Sequence, residues 1–305
     1  MINYLTGCAG RSGYGSRSTA DQVTDNCPTL SSCTAIITGN SNHLLSIHNH
    51  TPIHAHAHDG IPHYPGATSG IGAETARVLA KRGARVVMPA RNLKSAEETK
   101  ARILSEFPDS EIIIMTLDLS SFHSVRSFVS DFEALNLPLN LLINNAGRFS
   151  HDHSISEDGI EMTFATNYLG HFLLTKLVLK KMIETAKVSG VQGRIVNVSS
   201  GIHSWFSGDL IRSLGQITRD KSQYDATRAY AISKLANVLH TKELALRLKQ
   251  MEANVIVNCV HPGIVRTGLT RDHSGFVTDL IFFLASKLVK TIPQFFRKIL
   301  ENLFT

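Results

Sequence analysis

Scarcities narrow the class of this 305-residue chain before any motif is read. Its four cysteines, Cys8, Cys27, Cys33 and Cys259, lack metal-ligand spacing and are too few to staple a scaffold, so a reducing compartment is the default reading. No stretch of 18 apolar residues occurs, and the longest candidate, Leu280 to Ala285, is far too short for a membrane span, so a soluble or peripheral protein is expected. Like charges never run five in a row; 31 basic against 25 acidic residues leave a diffuse +6, which does not point to nucleic acid. Disorder is excluded by 43% hydrophobic residues, enough for a sizeable core. The first 20 residues lack acids and carry Arg11, Arg17 and several Ser and Thr, as organelle transit peptides do, but without an amphipathic pattern. Against these scarcities stands one excess, fifteen histidines. Seven of them (His43, His48, His50, His54, His56, His58 and His63) fall within residues 40–65, which contain no Lys or Arg and one acid, Asp59.

From residue 66 onward two periods alternate. Runs rich in Val, Ile and Leu at 85–88, 111–117, 140–143, 194–198 and 254–260 have the character of strands buried on both faces. Between them lie helical patterns: Ala76, Leu79 and Ala80 closed by Gly83; Val125, Phe128, Val129 and Phe132; and a long segment over 230–248. The alternation predicts an α/β protein, a three-layer Rossmann fold with a doubly wound parallel sheet and a ligand crevice at the carboxyl ends of its strands. A first strand is expected at 33–38, displaced from the glycine-rich turn that should follow it. The intervening histidine-rich stretch, with Pro52, Pro62 and Pro65 and no period, reads as an insertion.

Gly66-Ala67-Thr68-Ser69-Gly70-Ile71-Gly72 leads into a helix expected to start near Ala73. Such glycines let backbone N–H groups approach a pyrophosphate, which the helix N-terminus stabilises. Nineteen residues past Gly72, where an acid would hold the ribose of NAD, stands Arg91, a guanidinium suited to the 2′-phosphate of NADP, although a solvated arginine at a strand end would look the same. Tyr230 and Lys234, four apart in a helical pattern, share one face. A neighbouring ammonium favours the phenolate; lowering a phenol from its usual value by two to three units takes roughly 3 to 4 kcal/mol. Taken alone, a Tyr-x-x-x-Lys pair is more often a plain helix surface.

The combination is more specific. Asn144-Asn145-Ala146-Gly147 ends one strand, Asn197-Val198-Ser199-Ser200 ends the next, Asn167 lies in a helix between them, and Tyr230 follows Ser200 by thirty residues. This ordered set resembles the short-chain dehydrogenase/reductase superfamily. Ala165 to Phe172, Ser233 to Asn237 and Val260-His261-Pro262-Gly263 are similar to its retinol dehydrogenase-like branch. The N-terminal Gly13-Tyr14-Gly15-Ser16 through Val23-Thr24 is similar to plant members associated with the chloroplast inner-envelope translocon. The resemblance implies hydride transfer between NADP(H) and a lipophilic carbonyl or alcohol. It implies Tyr230 as acid and base, Lys234 lowering the Tyr230 pKa, Ser200 (or Ser199, if the register slips) polarising the carbonyl, and Asn167 anchoring a water. It further implies a cofactor cradle of Gly39, Gly66, Ser69, Gly70, Ile71 and Gly72, with Arg91, Asn92, Asp118 and Leu119 around the adenosine. Asn145, Ala146 and Gly147 would line the cofactor with Tyr230 and Lys234, and Pro262, Gly263 and Thr267 would flank the carboxamide. Asp118 and Asn145 are also natural cap and turn formers. A peripheral chloroplast location, with a cytoplasmic alternative, and a regulatory, NADPH-sensing role with a translocon partner are implied by the same likeness.

Two departures from that pattern are evident. Family members run Thr-Gly directly into x-x-x-Gly-x-Gly, whereas residues 40–66 here separate Thr38-Gly39 from Ala67. Gly39-Asn40 can be coded G-GTAAY, a splice-donor string, and Pro65-Gly66 CCAG-GN, an acceptor. The hypothesis is therefore an in-frame retained intron, with Gly66 standing in for Gly39 and an inactive splice variant as one outcome; transcripts that uniformly contain the segment in an active protein would refute it. The competing reading, a metal site at His54, His56 and His58, has no accompanying Cys and no scaffold, so no metal is expected. At the other end, the family's last strand is expected to be missing. Phe295, Phe296, Ile299, Leu300, Leu303 and Phe304 share one helical face opposite Arg297 and Lys298, an amphipathic tail that would dock on the fold, a membrane surface or a calmodulin-like partner. The expected organisation is an N-terminal extension over 1–30, one domain over 31–294 interrupted at about 40–66, and the tail over 295–305.

Overall fold

The computed structural model describes residues 20–24, 30–39 and 70–261. Within them α1 (Ala20–Thr24) precedes β1 (Thr34–Ile37), followed by α2 (Ile71–Lys81), β2 (Arg85–Ala90), α3 (Leu93–Glu106), β3 (Ile112–Thr116), α4 (Phe122–Ala134) and β4 (Leu141–Asn144). A helical turn (Met162–Phe164) and a π-helical turn (Ala165–Leu169) open α5 (Gly170–Ser189), and β5 (Gly193–Val198), a 3-10 turn (Gly201–Trp205), α6 (Leu210–Arg219), α7 (Ala226–Gln250) and β6 (Val255–Val260) complete the order. Among the described residues the six strands of the sheet pair in parallel, in the order β3-β2-β1-β4-β5-β6. This is the doubly wound arrangement that the alternating periods predict. The order reverses between β1 and β4, so a crevice opens at their carboxyl ends. The insertion at 40–66, the tail and the place of a last strand lie outside the described residues.

Alternation along each strand makes the layers. Ala35 and Ile37 of β1, with Val86 and Met88 of β2, pack against Ala76, Leu79 and Ile103 of α2 and α3. Ile36, Val87, Leu142 and Ile195 face the other way, onto Phe128 and Phe132 of α4, Leu174, Val178 and Met182 of α5 and Leu248 of α7. Strands so buried on both faces carry no polar face, which is why they read as continuous apolar runs.

At the back of α2, Asp21 of α1 pairs with Arg77 at 3.3 Å and Lys81 at 2.6 Å, and Arg82 Nε donates to Thr24 Oγ1 at 2.9 Å. Burial pushes the Asp21 carboxyl up, but Lys81 and Arg77 outweigh it and hold it below the usual range. The short helix α1 is thereby fastened to α2, whose other end faces the crevice.

Close packing at the start of α5 is equally specific. A Cβ on Gly170 would lie 2.1 Å from the Leu119 carbonyl oxygen, so only glycine lets α5 approach the loop after β3. Overpacking of this kind costs about 1 to 3 kcal/mol. Gly170→Ala is expected to lower the urea midpoint accordingly; an unchanged midpoint would show that α5 shifts at no cost.

Candidate active site

The crevice begins with a buried knot at the end of β1. The Thr38 hydroxyl accepts the backbone N–H groups of Asn145 and Ala146, each at 3.0 Å, and lies 2.8 Å from His171 Nε2. With both acceptor positions used, its proton goes to His171, and His171 Nδ1 donates to the Asn167 carbonyl at 3.1 Å. Burial pushes the His171 imidazole down to about 4, so it stays neutral and keeps this tautomer at physiological pH. The side-chain amide of Asn145 donates to the Thr38 carbonyl at 3.0 Å. Thus β1, β4 and α5 are tied together at the point where the sheet order reverses.

Gly39 follows at φ +78°, a left-handed conformation, and a Cβ there would meet Ala146 Cα at 2.7 Å. A Cβ on Gly72 would lie 2.5 Å from the Gly39 carbonyl oxygen. Gly39 itself therefore stands against the first turn of α2. Gly70 is the extended residue before α2, and Ile71 opens that helix and packs on the core, two residues earlier than expected. Gly66 and Ser69 lie outside the described residues, as do Pro262, Gly263 and Thr267.

At the far side of the crevice Arg91 Nη1 lies 3.7 Å from Asp118 Oδ2. The other Asp118 oxygen is engaged by Ser120, from its N–H at 2.9 Å and its hydroxyl at 2.6 Å. Asp118 thus caps a turn with one oxygen and presents the second to Arg91. Asn92 caps α3 by accepting from Ser95 N–H at 3.2 Å. Leu119 is buried in the core, with its carbonyl beside Gly170.

The second cluster hangs from β5 and α7. Strand alternation sends Ser199 inward, where its hydroxyl donates to the Lys234 carbonyl at 2.8 Å, whereas the Ser200 hydroxyl reaches the Tyr230 side chain. Of the two serines, Ser200 faces the phenol. Burial pushes Tyr230 up to about 12, against the lowering effect of the Ser200 hydrogen bond. Burial also pulls Lys234 down to about 8, with the Cys259 thiol acting in the opposite direction. The ammonium donates to the Val198 carbonyl at 2.9 Å and lies 5.5 Å from the Tyr230 ring centroid. A Cβ on Gly147 would stand 3.5 Å from Lys234 Nζ and 3.7 Å from Asn167 Oδ1, so the three residues converge on one space. Asn167 sits in the π-helical turn, where its side chain accepts from Arg148 N–H at 2.8 Å and donates to the Arg148 carbonyl at 3.0 Å and the Ser233 hydroxyl at 3.1 Å. Such a turn is a common mark of functional sites.

Several contributors were not singled out as site residues by sequence: Thr38, His171, and Asn237, whose amide donates to the Asn167 carbonyl at 3.3 Å. The ring of Phe149 packs edge-on against Tyr230, with centroids 5.7 Å apart, and extends the wall through His151 at 5.0 Å. Position two residues after Asn144-Asn145-Ala146-Gly147 was the available signal for Phe149; the others have none without the fold.

Comparison with known proteins agrees with this geometry. A family model described as short chain dehydrogenase matches residues 63–205. Short-chain dehydrogenase TIC 32 B, chloroplastic, of Brassica napus is 44% identical over 294 residues, covering 96% of this chain and 82% of the relative. Retinol dehydrogenase 12 of Bos taurus is 43% identical over 230 residues, covering 74% and 67% respectively. Among solved structures, L-sorbose reductase from Gluconobacter frateurii, complexed with NADPH and L-sorbose, superposes with a TM-score of 0.62 at 19% identity, covering 89% of both chains, a likeness of fold. Since 44% identity over 96% of the chain to such a relative accompanies the Ser200, Tyr230 and Lys234 cluster at the crevice, this chain belongs to the short-chain dehydrogenase/reductase family of oxidoreductases, which act on CH–OH and C=O groups.

Proposed function

We propose that the chain is an NADP(H)-dependent oxidoreductase that moves a hydride between the nicotinamide and a lipophilic carbonyl or alcohol, within a single domain over residues 31–294. The observation that carries this reading is the Ser200 hydroxyl beside the buried Tyr230 phenol, with the Lys234 ammonium 5.5 Å from the Tyr230 ring centroid. The glycine backbone approaches at Gly39 and Gly72, which no Cβ could enter, fit a cradle for the cofactor's phosphates with Gly70 and Ile71. Arg91 would hold a 2′-phosphate, with Asp118 orienting the guanidinium, and Asn145, Ala146 and Gly147 would line the nicotinamide side. A bound, reduced nicotinamide supplies the hydride. The chain's own residues do the rest: in reduction Tyr230 Oη gives its proton to the substrate oxygen, Ser200 donates a hydrogen bond to the same oxygen, and the Lys234 charge stabilises the resulting phenolate. Oxidation runs these transfers in reverse. Phe149 and His151 form a wall suited to a lipophilic substrate.

A second reading, an NADPH-sensing regulatory subunit of chloroplast protein import, is favoured by the identity to the Brassica TIC 32 protein. It carries with it a location peripheral to the chloroplast inner envelope; no described helix is long and apolar enough to cross a membrane. Calmodulin-like and translocon partners belong to that reading. Titration with NADPH by fluorescence, followed by an aldehyde screen, separates the two: binding without Tyr230-dependent turnover supports the sensor, and turnover supports the enzyme.

The contact of Gly39 with Gly72 bears on the insertion. Since those backbones already touch, residues 40–66 are not needed to span the turn, and Ala67 to Ser69 suffice. Removing residues 40–66 is expected to tighten NADPH binding by about tenfold, or about 1.4 kcal/mol. Equal dissociation constants with and without the segment would refute this.

A further inference from the structure

The peptide unit between Ser200 and Gly201 is held at both ends by imidazoles. Its carbonyl accepts from His203 Nδ1 at 2.5 Å, and its N–H, on Gly201, donates to His261 Nδ1 at 2.9 Å. These partners fix opposite tautomers. A carbonyl only accepts, so His203 carries a proton on Nδ1; an N–H only donates, so His261 Nδ1 is bare. A Cβ on Gly201 would lie 3.1 Å from His261 Nε2 and 3.3 Å from Cε1, so the ring lies tightly against this backbone. Ser200, extended at φ −148° and ψ 152°, begins the turn that this clamp fixes, and its hydroxyl is the one beside the Tyr230 phenol.

We propose that His261 is a positioning residue for Ser200: its neutral ring, by accepting the Gly201 N–H, sets the peptide plane from which the Ser200 hydroxyl is aimed at Tyr230. The effect on turnover rests on the oxidoreductase reading above. The two histidines respond differently to acid. Protonated His203 still donates to the Ser200 carbonyl, whereas protonated His261 sets an N–H against the Gly201 N–H and breaks the clamp. The other titratable groups near this turn, among the described residues, are Tyr230 and Lys234 of α7, Arg228 of α7, which lies over the Phe206 ring, and Cys259 of β6. The consequence is that turnover falls once acid protonates His261, while cofactor binding holds.

The test compares wild type, His261→Ala and His261→Asn, whose amide oxygen accepts where Nδ1 does but does not titrate. With NADPH and an aliphatic aldehyde, His261→Ala is expected to lower kcat about tenfold with KM for NADPH unchanged, and His261→Asn to recover most of it with a flattened acid limb. Equal losses in both variants, or a wild-type acid limb in His261→Asn, would overturn the proposal. Amide hydrogen exchange over residues 199–206 is read without turnover and is expected to be faster in His261→Ala and near wild type in His261→Asn. Should wild type reduce no aldehyde, the oxidoreductase reading fails separately, and unchanged exchange in His261→Ala then overturns the role of His261.

Discussion

Tyr230→Phe is expected to lower kcat for aldehyde reduction by about a thousandfold while leaving the NADPH dissociation constant within about twofold of wild type. The ring is retained, so its edge contact with Phe149 and its place beside Lys234 persist, and only the proton and the Ser200 hydrogen bond are lost. Fluorescence titration and steady-state kinetics on one preparation read both quantities. A phenylalanine variant that retains turnover would remove Tyr230 from the chemistry. One that loses binding in proportion would make the residue a packing element. The pH dependence follows from Lys234, whose pKa is depressed to about 8 by burial. The charged form needed to stabilise a phenolate is present below that value and lost above it, so reduction is expected to decline as pH rises through 8. Tyr230, up at about 12, keeps its proton throughout this window and is available as the acid.

Arg91→Asp is expected to shift the ratio of NADPH to NADH affinity by about a hundredfold or more toward NADH. A hydrogen-bonded charge of this kind contributes about 1.5 to 3 kcal/mol, and the replacement adds a carboxylate where a phosphate would sit. Arg91 is half exposed, which moderates its contribution, and Asp118 lies 3.7 Å from it, so its guanidinium is directed before any ligand arrives. The replacement would also set two carboxylates facing each other at this point, so Arg91→Ala is the control that separates lost attraction from added repulsion. A ratio unchanged in both variants would assign the arginine to the solvated surface of a strand end.

The strands were legible because residues such as Ile36, Val87 and Leu142 are enclosed on both sides, leaving no polar alternation to obscure the run. The amphipathic α6 was not: Ser213 and Ile217 are its buried residues, so it contributes little apolar signal and sits apart from any family motif. Tyr230 and Lys234 could be paired by helical spacing alone. Choosing Ser200 over Ser199 could not, because a strand end offers both faces and only the position of α7 decides which hydroxyl meets the phenol. Asp118 and Asn92 show a related ambiguity, since each serves as a cap, a role written in the same residue types as ligand contact. His171 illustrates what spacing hides: its partner Thr38 is 133 residues away, and nothing local to either announces the bond.

That separation also orders assembly. As the chain leaves the ribosome, β1, α2, β2, α3 and β3 are complete well before residue 171 has been made, and the Thr38 hydroxyl then has neither its two N–H donors nor its imidazole acceptor. Long-range closures of this type are slow relative to local ones. The nascent N-terminal half accordingly exposes Ile36, on the face of β1 that α4 and α5 later cover, and the edge of β1 that β4 later pairs, until those elements have been made. The interval in which this apolar surface is open to misassociation thus ends with the contact that finishes the crevice.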